Sequence, residues 1–464
     1  HVCIVGSGPA GLYAAEKLLK LSAEAKIDVF DRLPSPFGLV RSGVAPDHQE
    51  TKIVTNQFTR VLSSPRLAFF GNVCVGKDIE LIELRKLYDV VVLAYGSESD
   101  NSLGIPGEDL YGVFSAREFV WWYNAHPDCA NLDVDLCASD TAIILGQGNV
   151  AIDVARILLR RVEDLKSTDI AHHALRALNK SSIKKVYLIG RRGPAQISCT
   201  AKELREVLGL KGVNVVVRSS DLALSEIDVQ EINASRIHKR VYELLNKAAM
   251  NGKHSLESYE KELHFVFYRQ PTEFLPTEDG HRVSGLRLEK TVLEKELGSI
   301  RQRAVGTRVF ENLSSSLILK SIGYKSLPLD NLSFDHRKGL IPNLNGRVLR
   351  VVSKDGDPEC EPGLYVVGWL KRGPTGIIGT NLICAEEVTM SIIKDVESGI
   401  LANDPSHEGR EGVTVLLRER GVKFISFKDW EKINAFEIME GAKKGKPREK
   451  LISVEEAVKV VGIS

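Results

Sequence analysis

The apolar and polar positions of this chain follow two alternating patterns. Short, mostly apolar runs occur at residues 2–5, 27–30 and 90–95, and the last, near-continuous, reads Val90-Val91-Val92-Leu93-Ala94-Tyr95-Gly96. Such runs predict strands buried on both faces, as in a parallel sheet. Between them the apolar positions take helical spacing, as in Leu12 to Leu19, so residues 1–100 read as βα units. The turn formers of Asn101 to Gly107 then mark a crossing between domains. Beyond it, Ile143 to Leu145 and Val186 to Ile189 read as strands, and Asn233 to Lys253 as a charged helix. His264 to Tyr268 and Gly285 to Leu288 are strand-like, and Leu317 to Tyr324 reads as a return strand. Gly363 to Asn381 reads as strand, glycine-rich loop and helix start, with the helix continuing over Leu382 to Val396. Residues from 405 onward are polar and charged, ending in a helix over Val454 to Val461.

Two of the strand–glycine–helix junctions carry a nucleotide fingerprint. The first is Ile4-Val5-Gly6-Ser7-Gly8-Pro9-Ala10-Gly11, the second Leu145-Gly146-Gln147-Gly148-Asn149-Val150-Ala151. The first glycine makes the turn, the second lets backbone approach a pyrophosphate, and the third lets helix pack on strand. The pyrophosphate then meets free N–H groups at the helix N-terminus. An isolated pattern of this kind is often only a turn; strand before, helix after and an acid at the next strand end make it specific. The first copy meets all three conditions, its next strand ending in Asp31. In the second copy the next strand ends in Gly190-Arg191-Arg192, and arginine there suits a 2′-phosphate. An arginine pair at a strand end is also what a solvated edge looks like. Its distance from Gly148 exceeds the usual ~20 residues, and Glu163 to Ser182 is read as an insertion or longer helix. One chain is thus expected to hold two dinucleotides, the second NADP(H). The fold class expected is α/β with two Rossmann-like domains, residues 1–104 with 325–464, and residues 105–324.

Composition narrows this. The chain has 464 residues, 43% hydrophobic and 27% charged, the balance of an ordinary globular protein of two or more domains. Lys and Arg number 62 against 61 acids, so no global field attracts nucleic acid or a membrane. No apolar run approaches the ~18 residues that span a bilayer. Seven cysteines stand at 3, 74, 129, 137, 199, 360 and 384 with no CxxC. That spacing argues against a metal site, a protein-bound iron–sulfur cluster, a disulfide framework and a redox dithiol. The chain begins at His1 without Met, and a preceding segment such as a targeting peptide is expected to be missing.

Longer stretches resemble one family. Pro36-Phe37-Gly38-Leu39-Val40-Arg41-Ser42-Gly43-Val44-Ala45-Pro46-Asp47-His48 resembles a signature of the adrenodoxin reductases. Gly146 to Arg156, Ile189 to Pro194, Trp369 to Gly376, and Gly445-Lys446-Pro447-Arg448-Glu449-Lys450-Leu451 are similar to that family too, essentially end to end. The paired tryptophans of Val120-Trp121-Trp122-Tyr123-Asn124 lean toward a plant-like mitochondrial member. The resemblance implies a mitochondrial-type ferredoxin–NADP reductase with FAD in the first domain and NADP(H) in the second. It implies electron transfer from NADPH, one electron at a time, to an acidic two-iron two-sulfur ferredoxin. A monomer in the mitochondrial matrix, at most peripherally attached to the inner membrane, goes with it.

Residue by residue, the resemblance gives FAD the contacts Gly6, Gly8, Pro9, Ala10, Gly11, Asp31, Arg32, Gly38, Leu39, Val75, Trp369, Gly376, Ile377 and Ile378. It gives NADP Gln147, Gly148, Asn149, Val150, Arg191, Arg192, Glu203 and Gly376. His48 and Asp153 are implied as a proton relay, and a histidine has the right pKa for that task. His48 also reads as a packed loop histidine, and Asp153 as a first-turn acid suiting the helix dipole. Arg205, Arg236, Arg240 and Lys371 are implied as the basic docking face, with Lys239 beside them. Ser198-Cys199 has no reading. Two other classes stay open: another flavin enzyme, such as a quinone or dye reductase, and a redox-inert NADP(H) sensor.

Overall fold

A computed structural model describes residues 1–251, 259–296, 302–350, 359–401 and 406–462. The chain forms two compact units, His1–Asp100 with Asn124–Pro127 and Gly323–Ser464, and Asn101–Tyr123 with Asp128–Ile322.

The first unit is built on a seven-stranded sheet. Its order is Asn343–Leu344, Arg347–Arg350, Glu359–Val366, Val90–Leu93, Val2–Val5, Ile27–Asp31 and Leu67–Gly71. Glu359–Val366 through Leu67–Gly71 run parallel. Successive residues of these apolar runs face opposite cores. Ile4, Val29 and Val92 join the cluster under the helices Pro9–Leu21 and Thr380–Glu397, while Cys3, Val5, Phe30, Val91 and Leu93 join the other. Burial on both faces is why Val2–Val5 and Val90–Leu93 carry no polar residue, while buried Asp28 is held by Tyr88 at 2.9 Å and Arg410 at 2.7 Å. In the polar tail the expected helix Val454–Val461 forms, and two more helices, Arg410–Glu419 and Phe427–Ala442, precede it. Asn124–Pro127 belongs to this unit although it lies within the stretch 105–324. The Asn124 amide donates to Val44 O at 3.2 Å and accepts from Lys450 Nζ at 3.2 Å.

The second unit carries a six-stranded parallel sheet. Its order is Val113–Ser115, Leu317–Lys320, Thr141–Leu145, Lys185–Ile189, Lys261–Val266 and Val213–Val217. A three-stranded antiparallel sheet, Arg269–Pro276, Val283–Lys295 and Gln302–Ser314, buries Phe274, Val283, Leu286 and Leu288 against Ile143, Leu145, Ile189, Val266 and Ile318. Most of this meander escapes sequence reading because Gln302–Ser314 is largely solvent-facing and mixed in polarity. Several expected elements differ in extent, among them the strand over Gly285 to Leu288, which spans Val283–Lys295. The helix over Asn233 to Lys253 is two helices, Glu226–Asn233 and Arg236–Asn251; Ser235 caps the second by accepting from Lys239 N and His238 N. Lys253 lies outside the described residues. The strand over His264 to Tyr268 stops at Val266, since Tyr268 takes φ +55° and turns the chain into the meander. The return strand stops at Lys320; Tyr324–Lys325 then pairs with Ser99–Asp100 in the first unit. The stretch Glu163 to Ser182 contains two helices, Val162–Leu165 and His172–Lys180.

Candidate functional site

Both fingerprints sit where their sheet reverses its strand order. In the first unit Val2–Val5 lies between Ile27–Asp31 and Val90–Leu93; in the second Thr141–Leu145 lies between Lys185–Ile189 and Leu317–Lys320. Open α/β sheets bind ligands outside the carboxyl ends of the strands at that point. The packing is the same in both. Gly6 takes φ +112°, and a Cβ there would stand 2.5 Å from Ala94 O, just past the neighbouring strand. Gly146 takes φ +127°, and its Cβ would stand 2.2 Å from Ser321 O, in the equivalent place. Ala94 N and Ser321 N donate back to Val5 O at 2.7 Å and Leu145 O at 2.8 Å. Only glycine permits that approach.

The helices Pro9–Leu21 and Asn149–Leu159 begin at Gly8 and Gly148, and neither has a side-chain cap. Their first N–H groups therefore point out unsatisfied by the chain, with the positive dipole end behind them. In the first unit those are Ala10 and Gly11, since Pro9 has no N–H; in the second they are Asn149, Val150 and Ala151. A Cβ on Gly8 would meet nothing nearer than Gly38 Cα at 4.0 Å, which leaves room above the turn. These features fit a dinucleotide pyrophosphate in each unit.

Asp31 ends its strand as expected, and two local contacts hold it. Its Oδ2 accepts from Ser7 N at 3.0 Å and from Ser7 Oγ, and its Oδ1 accepts from Leu33 N at 3.0 Å. Burial pushes its carboxyl pKa up, with the Ser7 hydroxyl and the Ser7 and Leu33 amides pulling the other way. Carboxylate oxygens have lone pairs to spare for a ribose diol. Ser7, fully buried, is the partner that the sequence did not reveal. Arg32 pairs with Glu98 at 2.7 Å, and Val75 is buried in the loop beside Ile79. Two further segments of the unit reach the fingerprint. A Cβ on Gly38 would stand 2.9 Å from Gly8 Cα, and one on Gly368 2.5 Å from Ala10 Cβ. Leu39 and Trp369 each open a short helical turn directly after these glycines. Gly376 takes φ +85° and Ile377 is exposed, with Ile378 half-buried after it. His48 is buried and starts the short helix Gln49–Lys52.

In the second unit the side chains at the fingerprint are committed to structure. Gln147 Nε2 donates to Leu188 O at 3.0 Å and Val266 O at 3.1 Å, so its amide nitrogen braces three strands. Asn149 Oδ1 accepts from Thr200 N at 2.7 Å, which gives Ser198-Cys199 a reading. That segment is tied to the phosphate turn, and exposed Ser198 has its Oγ 3.3 Å from the place of a Gly148 Cβ. Arg191 and Arg192 are exposed, while their carbonyls are pinned by Thr291 Oγ1 at 2.7 Å and Tyr268 N at 3.1 Å. Asp153 and Glu203 meet on a buried cation. Arg156 Nη1 lies 2.8 Å from Asp153, 3.7 Å from Glu203 and 3.8 Å from Glu206.

The basic residues divide. Arg205 is exposed on Ala201–Leu208, and Arg236, Lys239 and Arg240 are exposed on Arg236–Asn251, which packs against it. Arg240 also pairs with Glu243 at 3.1 Å. Lys371, in the first unit, is 11% exposed and ion-paired with Glu387, so its charge is already answered.

Comparisons with known proteins agree with this architecture. The model of the pyridine nucleotide-disulphide oxidoreductase family matches residues 1–226. The chain is 58% identical over 459 residues to a mitochondrial NADPH:adrenodoxin oxidoreductase of Arabidopsis thaliana, covering 98% of this chain and 94% of that one. It is 45% identical over 468 residues to the mitochondrial NADPH:adrenodoxin oxidoreductase of Homo sapiens, covering 100% and 92%. The solved structure of Mycobacterium tuberculosis FprA in complex with NADPH superimposes with a TM-score of 0.89 at 38% identity, covering 99% of each chain. This chain belongs to the NADPH:adrenodoxin oxidoreductase family.

Proposed function

We propose that this protein is a flavoprotein oxidoreductase that moves electrons from NADPH through FAD to a ferredoxin-type acceptor. The observation that carries the reading is the contrast between two equivalent places. Where the strand after the first fingerprint ends in Asp31, the strand after the second ends in exposed Arg191 and Arg192. A carboxylate accepts hydrogen bonds from a ribose diol, and a guanidinium binds a 2′-phosphate. FAD belongs to the first unit and NADP(H) to the second.

When bound, FAD exchanges an electron pair for single electrons, which a ferredoxin requires. The chain supplies place and surroundings. Ala10 and Gly11 offer N–H groups to the FAD pyrophosphate, and Asp31 orients the ribose. Leu39 and Trp369 flank the flavin and keep water from it, with Gly376, Ile377 and Ile378 offering backbone contacts. Asn149 and Val150 hold the NADP pyrophosphate through backbone N–H groups, with Ser198 beside them. His48 holds and releases a proton at a ring nitrogen. Arg205, Arg236 and Arg240 face an acidic two-iron two-sulfur ferredoxin. The protein works as a monomer in the mitochondrial matrix. Among the described residues no helix is long and apolar enough to cross a membrane.

The test is NADPH-driven reduction of cytochrome c, with and without a two-iron ferredoxin, at low and high salt. The reading expects a large ferredoxin-dependent rate that falls with salt. A rate indifferent to ferredoxin leaves a flavin enzyme with another acceptor. A colourless protein without turnover leaves a nucleotide sensor.

A further inference from the structure

The motif Gly445 to Leu451 resembles its family yet contributes nothing to the fingerprints, and the structure shows what it touches. Phe37, next to Gly38, takes φ +86°, a conformation that a bulky L-residue holds only when its surroundings enforce it. Its N–H donates to Ser7 O at 3.1 Å, and Gly38 leans on Gly8. Further contacts on this turn come from the other end of the chain. On the helix Phe427–Ala442, Trp430 and Glu437 are buried seven residues apart, on one face. Trp430 meets the Phe37 ring edge-on, with centroids 6.1 Å apart, and the Arg41 guanidinium lies 4.9 Å over its indole. Glu437 is wholly buried and takes both terminal nitrogens of Arg41, one at 2.9 Å. The motif closes this grip. Leu451 N donates to Glu437 Oε1 at 3.0 Å, and Arg448 Nη1 lies 3.4 Å from Oε2. Lys450, 4% exposed, donates to Arg41 O at 2.9 Å and to Asn124, which in turn holds Val44 O.

We infer that the helix Phe427–Ala442 and the segment Lys446–Leu451 form a clamp that sets the turn Phe37–Gly38 against Gly8, with Glu437 and Lys450 as positioning residues for FAD. Four contacts converge on one loop, and each fixes a different part of it: the Phe37 ring, the Arg41 side chain, the Arg41 carbonyl and the Val44 carbonyl. A buried carboxylate facing a guanidinium holds direction as well as distance, because the fork pairs only in plane. Without it, Arg41 is left charged and half-desolvated, and the strained turn can relax away from the fingerprint.

The inference rests on FAD occupying the first unit, and the experiment separates the two. Apo-protein is titrated with FAD by flavin fluorescence, and the visible circular dichroism of the bound flavin is recorded for the unaltered chain, Glu437→Gln and Lys450→Met. The clamp expects each variant to bind FAD about tenfold or more weakly and to shift the flavin dichroism, while affinity for 2′,5′-ADP in the second unit stays unchanged. Lys450→Met keeps the Arg41–Glu437 pair, so it reports even if Glu437→Gln does not fold. Unaltered affinity and dichroism in both variants would overturn the clamp. An unaltered chain that takes up no FAD would instead overturn the cofactor assignment.

Discussion

Arg156 donates to Asp153 Oδ1 at 2.8 Å, and with 1% exposure it is the largest fully buried side chain among the described residues. Glu203 and Glu206 lie within 4 Å of the same nitrogen. One guanidinium thus answers several acids at the back of the second fingerprint helix. Arg156→Met leaves those carboxylates facing one another and is expected to cost about 3 kcal/mol. The measurement is the urea midpoint of the second unit, and an unshifted midpoint would show that the acids are solvated without Arg156.

Gly6→Ala and Gly146→Ala each place a Cβ against a backbone carbonyl, at 2.5 Å and 2.2 Å. Gly6→Ala is expected to purify colourless. Gly146→Ala should stay yellow but no longer bleach with NADPH. If either variant lost both properties, the two sites would not be separable by these glycines.

Arg191→Ala removes a charge-assisted hydrogen bond of about 1.5–3 kcal/mol. The KM for NADPH is expected to rise about tenfold or more, with the slower NADH reaction unchanged. Steady-state rates with the two nucleotides decide it; a parallel loss with NADH would place Arg191 outside the 2′-phosphate site.

Arg240→Glu reverses an exposed charge on Arg236–Asn251. Ferredoxin coupling should weaken and lose salt dependence, since rim charges act mainly on association. NADPH reduction of the flavin, followed by stopped flow without ferredoxin, should be unchanged. Normal ferredoxin turnover would remove this helix from the docking face.

Burial pushes the Cys199 thiol up to about 12, while Cys137 is exposed. The thiolate is the nucleophile, so iodoacetamide at pH 8 should label Cys137 and spare Cys199 in the folded protein. Peptide mass mapping reads the outcome. Labelling of Cys199 would mean that the segment tied to Asn149 opens in solution.

Legibility in the sequence followed the nature of each contact. Val2–Val5 and Val90–Leu93 were readable because strands buried on both faces have no polar positions to hide them, and Ile27–Asp31 because it carries one buried acid, Asp28, among apolar residues before the acid that ends it. Gly6 and Gly146 were readable because a residue that must lack a Cβ can only be glycine. Ser7 under Asp31 was not, because a serine carries no mark of its hydrogen-bond partner. The Gln147 brace and the Lys371–Glu387 pair were hidden in the same way: sequence shows an amide or a cation, and only the fold shows what already occupies it. The mixed strand Gln302–Ser314 was invisible because a largely solvent-facing antiparallel strand of mixed polarity carries no regular period.

The sequence by itself determined two dinucleotide fingerprints, their opposite charge at the following strand end, and the α/β class. Each of these is written in neighbouring residues, where spacing along the chain is spacing in space. The tertiary structure alone decided which cations are exposed, and how Glu437 and Lys450 grip a loop that begins hundreds of residues earlier. Such contacts join residues far apart in the chain, and their energy depends on distance and desolvation, which no local pattern records.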